Sequence, residues 1–519
     1  MPDYIFMLES RLSPEQLRVL NRVQQEAQDI SLNLYLVGGA VRDLMTGSPI
    51  RDLDFTAEGN PLRLARRLQD DGVRRREVNE LQRSVELRLA EGVSLSLEMA
   101  RNEFYQQPGK PPEVKPAPIL EDLRRRDFSV NAMGISLTPG SRGLLLDPTN
   151  GLADVESRQL RVMHNYSFLH DPLRLLRLVR FATRLGFRPE PRTQELFRTA
   201  LERGYQNIIP AASLGREMEE IAREDNAVAV LKALAGHKLL AVLHPMLEKR
   251  QPDYAGLAKL QKYRLQAEEA GYRLDPFYLV LHYLLRRLKR RAQKRLLRNL
   301  SLNRAQQKQA LGLEREARQV VKLLGRRRKL RPRQIYSLLT SVPVERLIFT
   351  LAEYSHKRKV QPQIYNYLFK YRPLRSKLPG RELQLMGVPP GPKFDEILEK
   401  YFDAQLDGKL RNRPEQLRFL RKLAGLPKPK PERKRKKPGR EEKAVGAAGT
   451  AKPALSPKAK PSAAPQAPPR VAAEKVVEKP AAKSTPRERP RAKAGKKMGA
   501  KGWPKPKSKP RPKKKRHRR

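Results

Sequence analysis

The 519-residue chain has no cysteine, which excludes disulfide cross-links and catalysis by a thiol. It has no apolar run near the roughly 18 residues that a membrane-spanning helix needs. Its first residues, MPDYIFMLESRLSPEQ, lack the basic-then-apolar order of a signal peptide. We therefore expect a multidomain cytoplasmic enzyme or binding protein with no membrane partner.

Acidic residues are scarce: the chain has 55 Asp and Glu but 109 Lys and Arg, so its net charge is +54. Half of this charge lies in residues 427–519, which contain 33 Lys and Arg, 6 Glu and many Pro and Ala. Such a composition cannot bury enough apolar surface to offset chain entropy, so it predicts a disordered basic tail. Residues 1–426 carry the other half, which favours a polyanionic partner such as nucleic acid.

Apolar periodicity divides the remaining chain into a mixed part and a helical part. Residues 12–29 have helical spacing after a Ser-Pro start, and LNLYLV at 32–37 alternates as a strand does. DLDF at 52–55 predicts a second strand, and residues 84–90 with 93–100 predict a hairpin. The pattern up to about residue 145 is therefore typical of a mixed α/β sheet.

Beyond about residue 153 the apolar residues recur at three- and four-residue spacing, which predicts helices. The predicted fold class is α+β, with a sheet-containing head at 1–145 and a helical neck at 146–250. A helical body at 251–426 and the disordered tail at 427–519 complete the division.

Two aspartates on the predicted second strand form the first candidate site. Asp52 and Asp54 point to one side of a strand, about 7 Å apart, and could share Mg²⁺. Glu98, on the polar face of another strand, could complete a cluster of three carboxylates. Aspartate pairs are common on protein surfaces, so this pattern alone is a weak indication.

Gly38 and Gly39 lie between a predicted strand and a predicted helix, where free backbone N–H groups can hold phosphate. Arg42, on the first helical turn, would add a positive charge to this triphosphate-binding site. The alternative is an ordinary turn. A phosphate cradle next to a metal site would indicate phosphoryl transfer.

Five phrases together resemble the motifs of one family. VGGAVRDLMTGSPIRDLDF (37–55) is similar to the first motif of class II tRNA nucleotidyltransferases and bacterial poly(A) polymerases, a branch of the DNA polymerase β-like superfamily. LRRRDFSVNAMG (123–134), LLDPTNGLADVESRQLRVM (145–163), FLHDPLRLLRLVRFATRLGF (168–187) and IIPAASLGREMEEI (208–221) resemble the next four, in order. The resemblance implies a polymerase-β-like head and a two-metal Mg²⁺ site with catalytic Asp52, Asp54 and Glu98.

The second motif implies a site for the nucleotide's sugar. Arg125, Arg126 and Asp127 would contact ribose and phosphate, with Asn131 as a neutral contact. Without the resemblance, such a basic run is more often a solvated surface.

The fourth motif implies recognition of the base by Asp171 and Arg174, whose spacing predicts one helix face. The carboxylate would accept from the amino group of cytosine or adenine, and the guanidinium would donate to the adjacent ring nitrogen. His170 departs from the family, which usually has Glu there. Arg177 and Arg180, further along, are candidates for phosphate or RNA contacts.

The resulting functional prediction is a template-independent nucleotidyltransferase that adds C and A from CTP and ATP to the 3′ end of tRNA. EMARNEFYQQPGKPPEV at 98–114 is similar to adenosine-adding members, so addition of A alone, or of CC alone, stays open. Poly(A) synthesis is the runner-up. A non-catalytic RNA-binding protein and a small-molecule adenylyltransferase are the remaining alternatives, and the sequence does not indicate the oligomeric state.

Overall fold

The computed structural model describes residues 3–68, 73, 75–89, 92–325 and 330–427. All of them belong to one compact unit, Met1–Glu432. The predicted tail, apart from Pro427, lies outside the described residues.

A seven-stranded mixed sheet forms the head, which confirms the predicted α/β pattern there. The strands in chain order are Asn33–Val37 (β1), Leu53–Glu58 (β2), Arg75–Asn79 (β3), Ser84–Arg88 (β4), Ser94–Met99 (β5), Arg101–Phe104 (β6), Glu113–Pro116 (β7), Gly134–Ser136 (β8), Leu145–Leu146 (β9), Gln159–Leu160 (β10) and Arg188–Pro189 (β11). The large sheet has the order β3-β4-β5-β2-β1-β8-β9. Strands β2 and β5 run parallel, and every other neighbouring pair in this sheet is antiparallel.

Helices surround the sheet and dominate the chain after it, which confirms the predicted change of structure. They are Tyr4–Arg11 (α1), Pro14–Asp29 (α2), Gly39–Thr46 (α3), Pro61–Arg67 (α4), Ile119–Arg124 (α5), Gly151–Glu156 (α6), Ser167–His170 (α7), Arg174–Leu185 (α8), Pro191–Glu202 (α9), Ala211–Arg223 (α10), Ala227–Gly236 (α11), Met246–Lys249 (α12), Tyr254–Glu269 (α13), Phe277–Leu285 (α14), Arg290–Asn299 (α15), Arg304–Gly325 (α16), Pro332–Thr340 (α17), Val344–Glu353 (α18), Gln361–Asn366 (α19), Arg372–Ser376 (α20), Gly380–Leu385 (α21), Pro392–Leu406 (α22) and Arg413–Leu423 (α23). In the described ranges no single helix is long and apolar enough to cross a membrane; α17 and α18 meet that test only jointly, and they are bent by 117°.

The helix predicted at 12–29 is α2, and its start follows the capping signals in the sequence. Ser13 Oγ accepts from the Gln16 N–H, and the Gln16 side chain accepts from the Ser13 N–H. Pro14 occupies the first turn, where a missing N–H costs no helical hydrogen bond. The buried side of α2 joins the core that also contains Leu53 and Phe55 of β2.

The strand β2 separates the core from the candidate site. Leu53 and Phe55 are buried in the main hydrophobic cluster, and Asp54 points to the opposite face, as the alternation predicted. That cluster runs without a break from the head helices into α22. A second, smaller cluster lies in α21, α22 and α23. The domain boundaries at 145 and 250 stay predictions.

The third motif joins the sheet to the first helix after it. Asp147 accepts from the N–H groups of Gly151 and Leu152 at 2.7 and 2.9 Å and so caps α6. Asp154 of the same helix accepts from the Ser129 hydroxyl at 2.5 Å. A Cβ atom on Gly151 would lie 2.2 Å from the Ser129 carbonyl oxygen, so only glycine permits this approach.

We expect Gly151→Ala to destabilise the fold, because the backbone of residue 129 must shift to admit the methyl group. The expected loss in the free energy of unfolding is about 1–3 kcal/mol, measured by urea denaturation. Gly140→Ala is the matched control, since a Cβ there meets no atom within 4 Å. Equal stability of the two variants would contradict this account of the junction.

Candidate active site

The turn between β1 and α3 has the backbone conformation that the two glycines predicted. Gly38 has φ +66° and ψ −125°, a region that side chains disfavour, and its N–H donates to the Met133 carbonyl at 3.2 Å. Helix α3 begins at Gly39. Its first N–H groups have no helical acceptor, so they are available to an anion.

Asp54 faces this turn from β2. A Cβ on Gly39 would lie 3.6 Å from Asp54 Oδ2, so the glycine backbone and the carboxylate border the same space. Ser96 lies opposite Asp54 in the parallel pairing of β2 with β5, and its hydroxyl donates to Asp54 Oδ1 at 2.8 Å. Asp52, directly before β2, is exposed. The structure therefore places Asp54 beside the glycine turn.

Negative charge is costly at Asp54, and the neighbouring Asp52 adds to this cost. Burial, then the charge of Asp52, raises the pKa of Asp54 to about 6, against a lowering by the Ser96 hydrogen bond. Desolvation, then the charge of Glu220, raises the pKa of Asp52. Divalent cations bind carboxylate oxygens, and the positive charge of such a cation would offset both the cost of desolvation and the repulsion between the two carboxylates. The residues present thus fit a divalent cation.

Glu98 does not complete a three-carboxylate cluster. It lies in β5 opposite Thr56, two residue pairs beyond the pairing of Asp54 with Ser96, and Arg101 Nη1 is 3.5 Å from its Oε2. Among the described residues, no group of three or more His, Cys, Asp or Glu side chains could hold a metal ion. Glu98 does face the same side of the sheet, and its charge contributes to the raised pKa of Asp54.

Arg126 is the predicted arginine that reaches the glycine turn. Its Nη1 is 3.0 Å from the position of a Cβ on Gly38. Its Nε and Nη2 donate to Asp122 Oδ2 at 3.2 and 2.9 Å, and Nη2 also donates to Thr56 Oγ1. These contacts orient the guanidinium and leave Nη1 directed at the space beside Asp54.

Arg42 and Asn131 also lie near the turn, but their polar groups contact other protein groups. Arg42 is 3% exposed, donates to Asp43 Oδ1 from Nε and Nη2, and donates to Asn131 Oδ1 from Nη1 at 2.7 Å. Asn131 in turn donates to Asp127 Oδ1 at 3.0 Å. Arg42 Nη2 also lies 3.6 Å from the position of a Cβ on Gly39, so this guanidinium borders the turn while it is held by Asp43.

Asp127 and Arg125 are likewise held inside the protein. Burial alone would raise the pKa of Asp127, but Arg177, whose Nη2 lies 3.0 Å from Asp127 Oδ2, and the Asn131 hydrogen bond hold it below its ordinary value. Arg125 donates to Asp122, Glu103 and the Arg101 carbonyl. Both side chains therefore have protein partners, and their contact with the nucleotide's sugar stays a prediction.

Arg180 was a candidate for phosphate or RNA, and the structure places it in buried ion pairs instead. It is 4% exposed and donates to Glu217 at 2.7 Å and to Glu224 at 3.0 Å. A buried guanidinium requires such partners. Glu217 and Glu224 are 37 and 44 residues away, so no local pattern could have indicated them.

Asp171 and Arg174 come together, but not on one helix face as predicted. Asp171 is the extended C-cap of α7, and α8 begins only at Arg174. Pro172 explains the break, because the residue before a proline avoids the helical region. Arg174 Nε still lies 3.8 Å from Asp171 Oδ2, and Arg174 also donates to Ser167 and to the Arg125 carbonyl.

Comparison with known proteins shows what the chain is similar to. Residues 34–161 match the family model described as poly A polymerase head domain. An A-adding tRNA nucleotidyltransferase of Geobacter sulfurreducens is 25% identical over 81% of the chain, which spans about half (48%) of that relative. The A-adding tRNA nucleotidyltransferase of Halalkalibacterium halodurans is 29% identical, and the similarity covers 81% of this chain and 96% of that relative. A solved structure of a CCA-adding enzyme in apo form II is 29% identical in sequence. The match covers 82% of this chain and 99% of that one, with a TM-score of 0.47.

The mixed-sheet head is that of the nucleotidyltransferase class. Within that class, the chain is similar to tRNA nucleotidyltransferases over most of its length, and its head matches that of poly(A) polymerases, as the five motifs implied.

The raised pKa of Asp54 makes stability depend on pH. Folding raises this pKa from 3.8 to about 6, so the folded protein binds more protons between these values, and the free energy of unfolding falls as the pH rises through them. Asp54→Asn removes the cost of the buried charge. In EDTA we expect the variant to be more stable than the wild type at pH 8, by roughly 2–3 kcal/mol, with the difference shrinking toward pH 4.

Urea denaturation at pH 4, 6 and 8 measures this effect. Glu156→Gln, at an exposed position of α6, is the control and should change stability little at any of these values. A variant that is less stable than the wild type at pH 8 would contradict the costly ionised state of Asp54.

Proposed function

We propose that the protein adds nucleotides to the 3′ end of tRNA, from CTP and ATP or from ATP alone, with release of pyrophosphate. The observation that carries this proposal is the position of Asp54 beside the Gly38 and Gly39 turn, with Arg126 Nη1 directed at the same space. A carboxylate pair that suits a cation, next to donors for phosphate, is what a nucleoside triphosphate needs.

The chain's own groups account for the steps around the reacting phosphate. Asp52 and Asp54 would hold Mg²⁺, which supplies Lewis-acid stabilisation of the charge that develops in the transition state. The α3 N–H groups and Arg126 bind the triphosphate and orient its α-phosphate. The 3′-hydroxyl of the RNA attacks that phosphorus, a new O–P bond forms, and pyrophosphate leaves.

Asp171 and Arg174 supply a chemical basis for the choice of C and A. An amino group donates to the carboxylate and a ring nitrogen accepts from the guanidinium, which is the pattern of cytosine and adenine. Uracil and guanine present the opposite pattern along that edge. The 3.8 Å separation of Arg174 Nε from Asp171 Oδ2 keeps both groups at one site.

Addition of A alone is the second candidate activity. Two relatives that cover 81% of this chain are named A-adding tRNA nucleotidyltransferases. The segment at 98–114, whose sequence resembles that of A-adding members, includes all of β6. The narrower activity would need the same carboxylates and the same phosphate contacts.

An exposed basic surface on the helical body supports RNA as the partner. We assign catalysis to residues 1–145, nucleotide recognition to 146–250 and RNA binding to 251–426. The basic residues of and directly before α15 are exposed and lie in no ion pair among the described residues: Lys289, Arg290, Arg291, Lys294, Arg295 and Arg298. Such a row of cations is what a phosphate backbone binds.

An extension assay tests the proposal directly. We expect the purified protein with Mg²⁺ to extend tRNAs that end before CCA, after C or after CC, offered with single nucleotides and with mixtures. Addition that stops at CCA supports the full activity, and A added only after CC supports the narrower one. Long A tracts on an unstructured RNA would instead indicate poly(A) synthesis and contradict the proposal.

The carboxylate pair can be tested in the same assay. We expect Asp52→Ala combined with Asp54→Ala to abolish extension, because no ligand pair for Mg²⁺ would be left. Glu156→Gln serves as the control and should extend tRNA like the wild type. Intact activity in the double variant would show that the metal assignment is wrong.

The basic surface of α15 should control affinity for RNA. We expect Arg291→Gln, Lys294→Gln and Arg295→Gln together to weaken tRNA binding at low salt and to reduce the slope of log Kd against log salt by up to about 1 per lost contact. Fluorescence anisotropy at several KCl concentrations measures both quantities. Arg18→Gln, Arg63→Gln and Arg66→Gln remove the same charge from α2 and α4. An equal loss in that control would refute a specific role for α15.

A further inference from the structure

A group of four rings lies next to the candidate base-reading pair and has no role in the function proposed so far. The ring group consists of Tyr105, His164, Tyr166 and His170. Tyr105 and Tyr166 stack on His170 with centroids 5.1 and 6.0 Å away and planes within 15° and 18°. His164 is tilted against His170 at 5.1 Å. His170 is thus the common member of the group.

Separate parts of the chain build this group. Tyr105 follows β6, and its hydroxyl donates to Glu103 Oε2 at 2.8 Å. Tyr166 and His170 stand at the two ends of α7, and the Gly109 N–H donates to the His170 carbonyl at 3.4 Å. The segment after β6 is therefore attached to α7 at the point where Asp171 follows.

The ring group offers an uncharged aromatic surface. Desolvation, then the charge of Arg174, lowers the pKa of His170, and the same causes lower the pKa of His164 to about 4. Both imidazoles are consequently neutral near pH 7. Tyr166 is 63% exposed and belongs to none of the hydrophobic clusters of the described chain, so packing does not explain its position.

The neighbouring polar groups indicate what the surface holds. Asp171 accepts from the Leu173 N–H through Oδ1, and its Oδ2 lies 3.8 Å from Arg174 Nε, too far for a hydrogen bond. Arg174 Nε is buried and has no hydrogen-bond partner within the described residues. A nucleobase combines a face that stacks on rings with an edge that bonds to a carboxylate and a guanidinium.

We propose that Tyr105, Tyr166 and His170 form a stacking surface for a nucleobase whose polar edge reaches Asp171 and Arg174. This inference rests on the proposed function and adds a specificity-determining surface to it. His170 stands where the family usually has glutamate. Its imidazole ring continues the stack between the two tyrosines, which a carboxylate could not do. The base comes either from the incoming nucleotide or from the 3′ end of the RNA.

The fluorescence of 2-aminopurine, which stacking on aromatic rings quenches, tests the proposal in two arms. The first arm titrates the wild type with 2-aminopurine riboside triphosphate and Mg²⁺ in the absence of RNA. The second arm titrates it with a truncated tRNA whose terminal base is 2-aminopurine. Quenching in the first arm assigns the surface to the incoming nucleotide, and quenching in the second arm assigns it to the RNA end.

Variants separate stacking from a structural role. We expect Tyr166→Ala to reduce the quenching and to weaken binding in the same arm by at least about fivefold, since stacking of one base contributes roughly 1–3 kcal/mol. Tyr166→Phe and His170→Phe keep the rings and should retain the quenching. Phe6→Ala, which removes a ring that is 69% exposed on α1, is the matched control and should change neither arm.

The outcomes distinguish this inference from the proposed function. If the wild type binds neither the nucleotide nor the tRNA, the proposed function fails and this inference fails with it. If the wild type binds both but neither arm is quenched, or Tyr166→Ala leaves quenching and affinity unchanged, the stacking surface alone is refuted.

Discussion

The carboxylate of Asp54 imposes the constraint on which the rest of the site depends. It lies on β2, the central strand of the sheet, beside Asp52, and it is ionised at neutral pH although burial and the second carboxylate oppose ionisation. The parallel pairing of β2 with β5 supplies the Ser96 hydroxyl, and helix α5 brings the cationic Arg126 to the glycine turn. These groups compensate the charge only in part, and a cation that bridges the two aspartates would compensate the rest.

A second constraint, the cost of burying a charge, divides the arginines into those that are buried and paired and those that are exposed. Guanidinium groups inside the fold must be paired, because an isolated charge in a desolvated place costs several kcal/mol. Arg42, Arg125 and Arg180 meet this requirement with Asp43, Asp122 and Glu217 as partners, and they stabilise the junction between the sheet and the helices. The basic residues of α15 are exposed and need no such partner, so their charge is available to a polyanion. High positive charge in the sequence therefore does not identify which arginines bind RNA.

Local patterns predicted the elements well where periodicity and capping agree. The strand at 32–37, the glycine turn, the hairpin and the helix at 12–29 all follow from residues within a few positions of each other. The helix face assigned to Asp171 and Arg174 was wrong because Pro172 ends the helical backbone before Arg174. Glu98 was placed on the correct face of the sheet, but the register puts it two residue pairs away from Asp54.

The sequence alone determined the chemical groups of the site and their order along the chain, because alternation on β2 and the glycine turn depend on neighbouring residues only. The tertiary structure decided which of those groups are available to a substrate. Arg42 contacts Asn131 from 89 residues away, and Arg180 contacts Glu217 from 37 residues away. Partners at such separations leave no periodic signal in the sequence. Only the tertiary structure therefore shows which arginines are available at the glycine turn and which are engaged in buried ion pairs.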